Sequence, residues 1–307
     1  MLLLDVSAGG SPTTATILAL LCLGGIVGNT AHVVLNLCYS DLKTVTAIFL
    51  FNQAVLDSIG AFTDVLRAVA VATTGWPFGS LLCKLQLSIR YLIMLARVYI
   101  LSILSLDRYL VSHHRACSRG IRTSGLAWAL SILIWMLSFV LTTPVLLMAT
   151  TRGSGPGYVC TLSPPRPAWW WRDVWSWSTF GAAYLIPLLS ITACHVVSAC
   201  KHFMRRGCQR SGHPSSLCRA TKFVLSAVVV YVLCWTPAFA LTFAQLMGMA
   251  QQHSAWGSRL AVLAASANGC VNPLLYAQYD RRFGHEAARA VHACGAPWRV
   301  WRARSGL

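Results

Sequence analysis

Seven apolar segments, each long enough to cross a bilayer, constrain this sequence more than any other feature. A helix of about 20 apolar residues spans the hydrocarbon layer, and it pairs its own backbone polar groups where no water is available. Only 11% of the 307 residues are charged, whereas a soluble domain carries about a quarter. The sequence therefore predicts an all-α membrane protein, a bundle of seven transmembrane helices. The apolar segments cover residues 13–38, 45–73, 81–110, 124–149, 174–200, 222–249 and 256–279.

The positions of the basic residues predict how this bundle lies in the membrane. The net charge is +17, and most lysines and arginines follow the first, third, fifth and seventh apolar segments. Cytoplasmic loops are enriched in these residues. We therefore predict a multi-pass protein of the cell membrane, with an extracellular N-terminus over residues 1–12, a bundle over 13–279 and a cytoplasmic tail over 280–307. The basic residues form no single soluble face, which argues against nucleic-acid binding.

Short motifs that contain proline or a polar residue recur in order along the apolar segments. They are Gly28-Asn29, Asp57, Trp76-Pro77-Phe78-Gly79 before Cys83, Asp107-Arg108-Tyr109, Trp135 with Pro144, Pro187, Cys234-Trp235-Thr236-Pro237 and Asn272-Pro273-Leu274-Leu275-Tyr276. Each motif by itself recurs by chance, but the complete ordered set is specific. Along essentially its whole length, the chain resembles the class A, or rhodopsin-like, G-protein-coupled receptors.

The resemblance implies a receptor without a cofactor, a metal or enzymatic activity, which activates a heterotrimeric G protein after an extracellular ligand binds. It implies that Asp107 holds Arg108 in the resting state and that release of Arg108 opens the G-protein site. Arrestin and membrane lipids are further expected partners. The residues assigned to coupling and activation are Asp107, Arg108, Tyr109, Trp235, Pro237, Asn272, Pro273 and Tyr276.

The resemblance also implies a disulfide, a surface helix and a lipid anchor. Cys83 and Cys160 lie on the predicted extracellular side, where an oxidising environment preserves disulfides. Residues 281–291, after the seventh span, are expected to form a short amphipathic helix on the membrane surface. Cys294 beyond this helix is a palmitoylation candidate, and an unmodified Cys294 is the alternative.

Arg97 departs from the family pattern in a way that changes the expected polar core. In the family, a small polar residue at this position helps to bind a sodium ion together with the acid of the second span, here Asp57. A charge near the middle of a bilayer needs a partner. We therefore predict an Asp57–Arg97 ion pair in place of the sodium ion, with Asn268 and Asn272 as hydrogen-bonding partners and Asn29 in the same polar core. The alternative is that the Arg97 side chain turns elsewhere.

Two further departures concern the restraint on Arg108. Residues 217–222, at the inner end of the sixth span, contain no acid, so we expect Asp107 alone to restrain Arg108. His195 stands in the fifth span where the family usually has a tyrosine. Together these departures predict a shifted basal activity, without fixing its direction.

The outer half of the bundle carries the residues expected to meet the ligand. They are Asp64, Arg67, Arg90 and Trp235. Arg90 stands where amine receptors have an acid, which argues against a protonated amine, and the seventh span has no lysine that could hold retinal. Two arrangements stay open. Either Arg67 and Arg90 form a cationic pocket, or Asp64 neutralises Arg67 and only Arg90 remains.

The motif before Cys83 resembles the peptide and chemoattractant branch of the family. The extracellular side has few acids, so an acidic peptide is the first choice of ligand, and a small anionic lipid or carboxylate is the second. Other classes of protein are weaker alternatives. A transporter is opposed by the lack of a visible internal repeat, and a non-signalling seven-helix protein is opposed by the intact Asp107-Arg108-Tyr109 motif.

Overall fold

Seven helical spans form the molecule, as the sequence predicted. The computed structural model describes residues 11–39, 42, 44–114, 120–153, 157–163, 168–206, 216–247 and 255–279. Within these residues, seven helices are long and apolar enough to cross a membrane, which confirms the predicted bundle. The expected helix at 281–291, Cys294 and the tail lie outside the described residues. Six spans are single helices: α1 Pro12–Tyr39, α2 Val45–Ala72, α3 Gly79–His113, α4 Ser124–Met148, α6 Ser216–Leu246 and α7 Ala255–Tyr279.

The fifth span consists of three consecutive pieces, which we label together as α5. They are helix Ala168–Phe180, a π-helical turn Gly181–Leu185 and helix Ile186–Arg206. α5 begins earlier than the predicted start at residue 174. The charged residues before that point do not end the helix, because Arg172 and Asp173 are exposed and pair with each other at 3.0 Å. A helix with its charges on the surface can extend beyond the apolar layer.

α3 is the central helix of the bundle. It packs against α2, α4, α5 and α6, and a larger share of it is buried than of any other span. α1 packs against α2 and α7, and α6 packs against α7. The outward face of α4 exposes Ile132, Leu133 and Phe139, an apolar surface that suits lipid. Residues on α3 are therefore the ones best placed to contact several helices at once.

A short β-hairpin covers the Cys83 end of α3, so the fold is not purely helical. Strands β1 Ala149–Arg152 and β2 Val159–Leu162 pair in antiparallel register. The predicted disulfide is present, and it joins Cys83 to Cys160 of β2 with a Cα–Cα distance of 5.5 Å. The backbone N–H of Trp76 donates to the carbonyl of Tyr158 at 2.6 Å, close to the same strand. These contacts fix the hairpin over the entrance to the bundle.

Candidate functional site

The centre of the bundle holds the ion pair that the sequence predicted. Arg97 of α3 contacts the carboxylate of Asp57 on α2 and donates to the amide oxygen of Asn268 on α7. The amide nitrogen of Asn272, also on α7, donates to the other carboxylate oxygen of Asp57. Arg97 is 4% exposed and Asp57 is 1% exposed. Two buried charges thus neutralise each other and connect three helices.

Glycine 269 of α7 leaves the space that this guanidinium occupies. A methyl group on Gly269 would lie 3.2 Å from Nη2 of Arg97 and 3.4 Å from Oδ1 of Asp57. Large side chains around a buried ion pair would push the charges apart, and the electrostatic attraction between them falls with distance. Gly269 therefore allows α7 to approach the pair closely.

Asn29 lies beside this core but contacts the backbone of α7 and not the ion pair. Pro273 has no N–H to donate to the carbonyl of Gly269, four residues earlier. The Asn29 side chain supplies the missing donor, because its amide nitrogen lies 2.9 Å from that carbonyl oxygen. Gly28 allows this approach, since a methyl group there would lie 2.7 Å from the ring of Pro273. Asn29 therefore satisfies the carbonyl that Pro273 leaves without an N–H donor, and Gly28 leaves room for the proline ring.

A second ion pair, Asp64–Arg90, lies on the Cys83 side of the first. Both side chains are less than 10% exposed, at 8% for Asp64 and 7% for Arg90. Both arrangements expected from the sequence left Arg90 without a counter-charge, and both are wrong on this point. Asp64 turns to Arg90 because α2 and α3 are antiparallel neighbours, and the two positions face each other. Arg67 is 1% exposed and does not line the cavity described next.

A small cavity is lined by residues of both ion pairs. Its volume is about 30 Å³, and its lining includes Asp57, Asp64, Arg90, Arg97 and Trp235. A water molecule needs roughly 10–15 Å³ on this scale, so the cavity has room for about two waters. Pockets that enclose whole small-molecule ligands are typically about 300 Å³ or larger. In the described arrangement, the cavity beside Trp235 is therefore too small to enclose a ligand of that size.

At the other end of α3, Arg108 has more partners than the sequence predicted. It pairs with Asp107 and also donates from Nη2 to the hydroxyl of Thr46 on α2 at 2.9 Å. Asp107 accepts a further charged hydrogen bond from Nε of Arg122, just before α4, at 2.6 Å. The expectation that Asp107 alone restrains Arg108 is therefore wrong. Thr46 could not be recognised from the sequence, because a single threonine at the start of a span has no distinguishing pattern.

Tyr276 is fully buried between two other rings. Its ring centroid lies 4.1 Å from that of His32 on α1 and 5.7 Å from that of Phe223 on α6, with interplanar angles of 21° and 24°. Tyr109 lies apart from this group and stacks on His113, one turn further along α3, at 5.0 Å. The described arrangement thus keeps Tyr276 packed and Arg108 restrained.

The comparisons with known proteins agree with this architecture. Residues 28–276 match the sequence profile of the family described as 7 transmembrane receptor (rhodopsin family). The somatostatin receptor type 4 of Rattus norvegicus is 33% identical over 287 residues, which cover 92% of this chain and 73% of that receptor. The somatostatin receptor type 1 of the same organism is 30% identical over 292 residues, which cover 94% of this chain and 74% of that receptor.

These matches extend over nearly the whole bundle and include every span that carries a motif. They confirm the resemblance seen in the sequence, the multi-pass membrane location and the prediction that the chain is not an enzyme. The chain belongs to the rhodopsin family of seven-transmembrane receptors.

Proposed function

We propose that the chain is a receptor for an extracellular peptide and that it activates a heterotrimeric G protein through the Arg108 end of α3. Two relatives are receptors for somatostatin, which supports a peptide ligand. The observation that carries the G-protein proposal is the network around Arg108, in which a buried guanidinium is held by Asp107 and Thr46. Opening this network exposes a planar group with five donors, which suits the carbonyl oxygens of an incoming helix terminus.

The ligand acts in this proposal by preferring one of two helix arrangements. A ligand shifts such an equilibrium only by the ratio of its affinities for the two states. The restraint by Asp107, Thr46 and Arg122 favours the closed state in the absence of ligand. A peptide that widens the cavity beside Trp235 favours the open one.

Nucleotide exchange on purified G proteins, measured in membranes that contain the receptor, tests this proposal. Arg108→Ala should abolish ligand-stimulated exchange, because it removes the group that meets the G protein. Arg152→Ala is the matched control, since Arg152 is an exposed arginine of β1 at the opposite end of the bundle. Stimulated exchange that survives Arg108→Ala at the wild-type rate contradicts the proposal.

The finer proposal is that the peptide carries an acidic group. Its support is the position of Arg90 on the cavity beside Trp235. Asp64 already neutralises Arg90, so a ligand carboxylate must compete with Asp64 for the same guanidinium. If this competition occurs, a substitution that removes the charge of Asp64 should change the affinity for an acidic ligand.

Asp64→Asn removes the competitor and should strengthen the binding of an acidic peptide roughly five- to tenfold. Asp173→Asn is the control, because Asp173 is an exposed acid that has its own partner in Arg172. The readout is competition binding with matched peptides that carry a terminal carboxylate or a terminal amide. Unchanged affinity for the carboxylate form rules out the acidic group, and a response to small fatty acids without any peptide response favours the small-anion alternative.

We also propose that Arg97 supplies the internal cation of the polar core, in place of the sodium ion that other family members bind. The support is that both carboxylate oxygens of Asp57 already have donors. Arg97 contacts one oxygen and Asn272 donates to the other. Asn268 accepts a further hydrogen bond from the Arg97 guanidinium. Sodium chloride should therefore leave agonist affinity unchanged relative to choline chloride of equal ionic strength. Marked weakening of agonist binding by sodium in the wild-type receptor contradicts this role.

The orientation with the N-terminus outside, arrestin binding, lipid contacts and palmitoylation of Cys294 are further proposals. The positive-inside pattern of the loops supports the orientation. Cys294 and most hydroxyl-bearing residues of the tail and the loop between α5 and α6 lie outside the described residues. Metabolic labelling with palmitate, compared between wild type and Cys294→Ser, tests the lipid anchor.

A further inference from the structure

Tyr231 makes a hydrogen bond that joins α6 to α5 in the interior of the bundle. Its hydroxyl donates to the backbone carbonyl oxygen of Ala183 in the π-helical turn. Tyr231 is 2% exposed and Ala183 is fully buried. A buried bond between a side chain of one helix and the backbone of another fixes the relative position of the two helices more tightly than apolar packing does.

Proline 187 explains why the carbonyl of Ala183 is available. In an α-helix this carbonyl would accept from the N–H four residues later, and residue 187 is a proline, which has no N–H. The π-helical turn shifts the neighbouring bond as well, because the N–H of Ile186 donates to Gly181, five residues earlier. A buried carbonyl without a partner is unfavourable. The Tyr231 hydroxyl therefore supplies this carbonyl with a donor in place of the N–H that residue 187 lacks, as Asn29 does for the carbonyl opposite Pro273.

Tyr231 also lies directly below the tryptophan that lines the cavity. Trp235 is one turn further along α6, and the two ring centroids are 6.1 Å apart. Pro237, inside α6, follows two residues after Trp235. Tyr231 is therefore in ring contact with Trp235 on one side and bonded to α5 on the other.

We propose that Tyr231 is a positioning residue that holds α6 in the resting arrangement by capping the carbonyl of Ala183 freed by Pro187. The proposal rests on the G-protein coupling argued above. The bond exists in the arrangement in which Arg108 is restrained, and movement of α6 breaks it. Its free energy therefore counts toward the resting state and against the open one.

A neighbouring hydroxyl pair provides a matched contrast. The hydroxyl of Tyr184, also in the π-helical turn, lies 2.7 Å from the hydroxyl of Thr236 on α6. This pair is more exposed, and Thr236 already donates to the carbonyl of Val232 at 2.6 Å. The Tyr184 hydroxyl bonds to a hydroxyl and not to the carbonyl opposite a proline, so its loss does not remove the donor of such a carbonyl. Tyr184→Phe therefore removes a hydrogen bond between the same two helices but leaves the bond from Tyr231 to the Ala183 carbonyl intact.

Basal nucleotide exchange without ligand is the test. Tyr231→Phe keeps the ring and removes only the hydroxyl, so basal exchange should rise on the order of five- to tenfold, the factor given by the loss of one buried hydrogen bond. Tyr184→Phe should change it by less than about twofold. Unchanged basal exchange in Tyr231→Phe overturns the proposal. A fall in the thermal stability of the purified receptor without any rise in basal exchange would show a structural cap that does not distinguish the two states, and it would also overturn the proposal.

A double-mutant cycle with Pro187→Ala examines the cause. Alanine restores an N–H at residue 187, so the effect of Tyr231→Phe should shrink to less than about twofold in that background. An undiminished effect contradicts the role of Pro187. Arg108→Ala separates this proposal from the proposed function. If exchange depends on Arg108 but not on Tyr231, only the present inference fails, and if exchange never depends on Arg108, the coupling function fails first.

Discussion

At the scale of single residues, Asp57 and Arg97 can both be buried in the apolar core of the bundle because each neutralises the charge of the other. Each charge is almost completely buried and has the other as its partner, with Asn268 and Asn272 completing the hydrogen bonds. Burial of an unpaired charge is far less favourable than burial of a neutralised pair. The two residues therefore act as one unit, and either can be removed safely only together with the other.

This dependence predicts a non-additive effect on stability. Arg97→Leu should lower the free energy of unfolding by about 3–5 kcal/mol, because it leaves Asp57 charged and buried. The double variant Arg97→Leu with Asp57→Leu should recover most of this loss, since two apolar side chains replace the pair. Thermal unfolding of the detergent-purified receptor measures both. A double variant that is less stable than Arg97→Leu contradicts the prediction.

The two ion pairs also illustrate which contacts a sequence reveals. Asp57 and Arg97 were paired correctly because both lie near the middle of a span, where a charge requires a partner. The partner of Asp64 was predicted wrongly, because only Arg67, three residues along the same helix, was considered as its counter-charge. The missed signal was the register of antiparallel helices. Seven residues outward on both α2 and α3 lead from Asp57–Arg97 to Asp64–Arg90.

At the scale of the helices, prolines and their caps define where the bundle departs from regular helix geometry. Pro144, Pro237 and Pro273 lie inside helices, and each removes one backbone hydrogen bond. The sequence did not predict the π-helical turn Gly181–Leu185. The capping partners were also unpredicted, because a freed carbonyl is satisfied by whichever side chain the neighbouring helix presents. Asn29 and Tyr231 became recognisable only after the helices were placed side by side.

The close approach of α1 and α7 predicts a sharp effect of one methyl group. Gly28→Ala should lower stability by about 1–3 kcal/mol, because the new Cβ would lie 2.7 Å from the Pro273 ring. Gly60→Ala in α2 is the control, since its Cβ would meet Ile93 at an ordinary 3.4 Å. That control should be neutral or slightly stabilising, because alanine favours helices over glycine. The same thermal unfolding measurement compares them, and equal losses in both variants would show that the approach to Pro273 is not limiting.

At the scale of the whole molecule, the disulfide and the charge distribution define two different ends. The Cys83–Cys160 bond and the β-hairpin close one end. The Arg108 network lies at the other, and most basic residues of the sequence follow the spans that end on that side. A disulfide of this kind persists outside the cell, and basic loops are retained inside it. Both features support the proposed orientation.

This orientation predicts the accessibility of terminal tags. An epitope added before Met1 should bind antibody on intact cells, whereas an epitope added after Leu307 should bind only after permeabilisation. Flow cytometry of the two fusions, with and without detergent, makes the measurement. A C-terminal epitope that is stained on intact cells would contradict the positive-inside assignment.

The pairing of charges between α2 and α3 has a consequence for how the protein is made. A charged residue at the centre of a helix costs roughly 2.5–3.5 kcal/mol to insert through the translocon, and α2 alone carries Asp57, Asp64 and Arg67. Its acids gain their counter-charges, Arg97 and Arg90, only when α3 has been synthesised. A nascent chain that ends after Ala72 should therefore integrate poorly in microsomes, and one that ends after His113 should integrate well. In that case α2 inserts stably into the membrane only together with α3, as a helical hairpin.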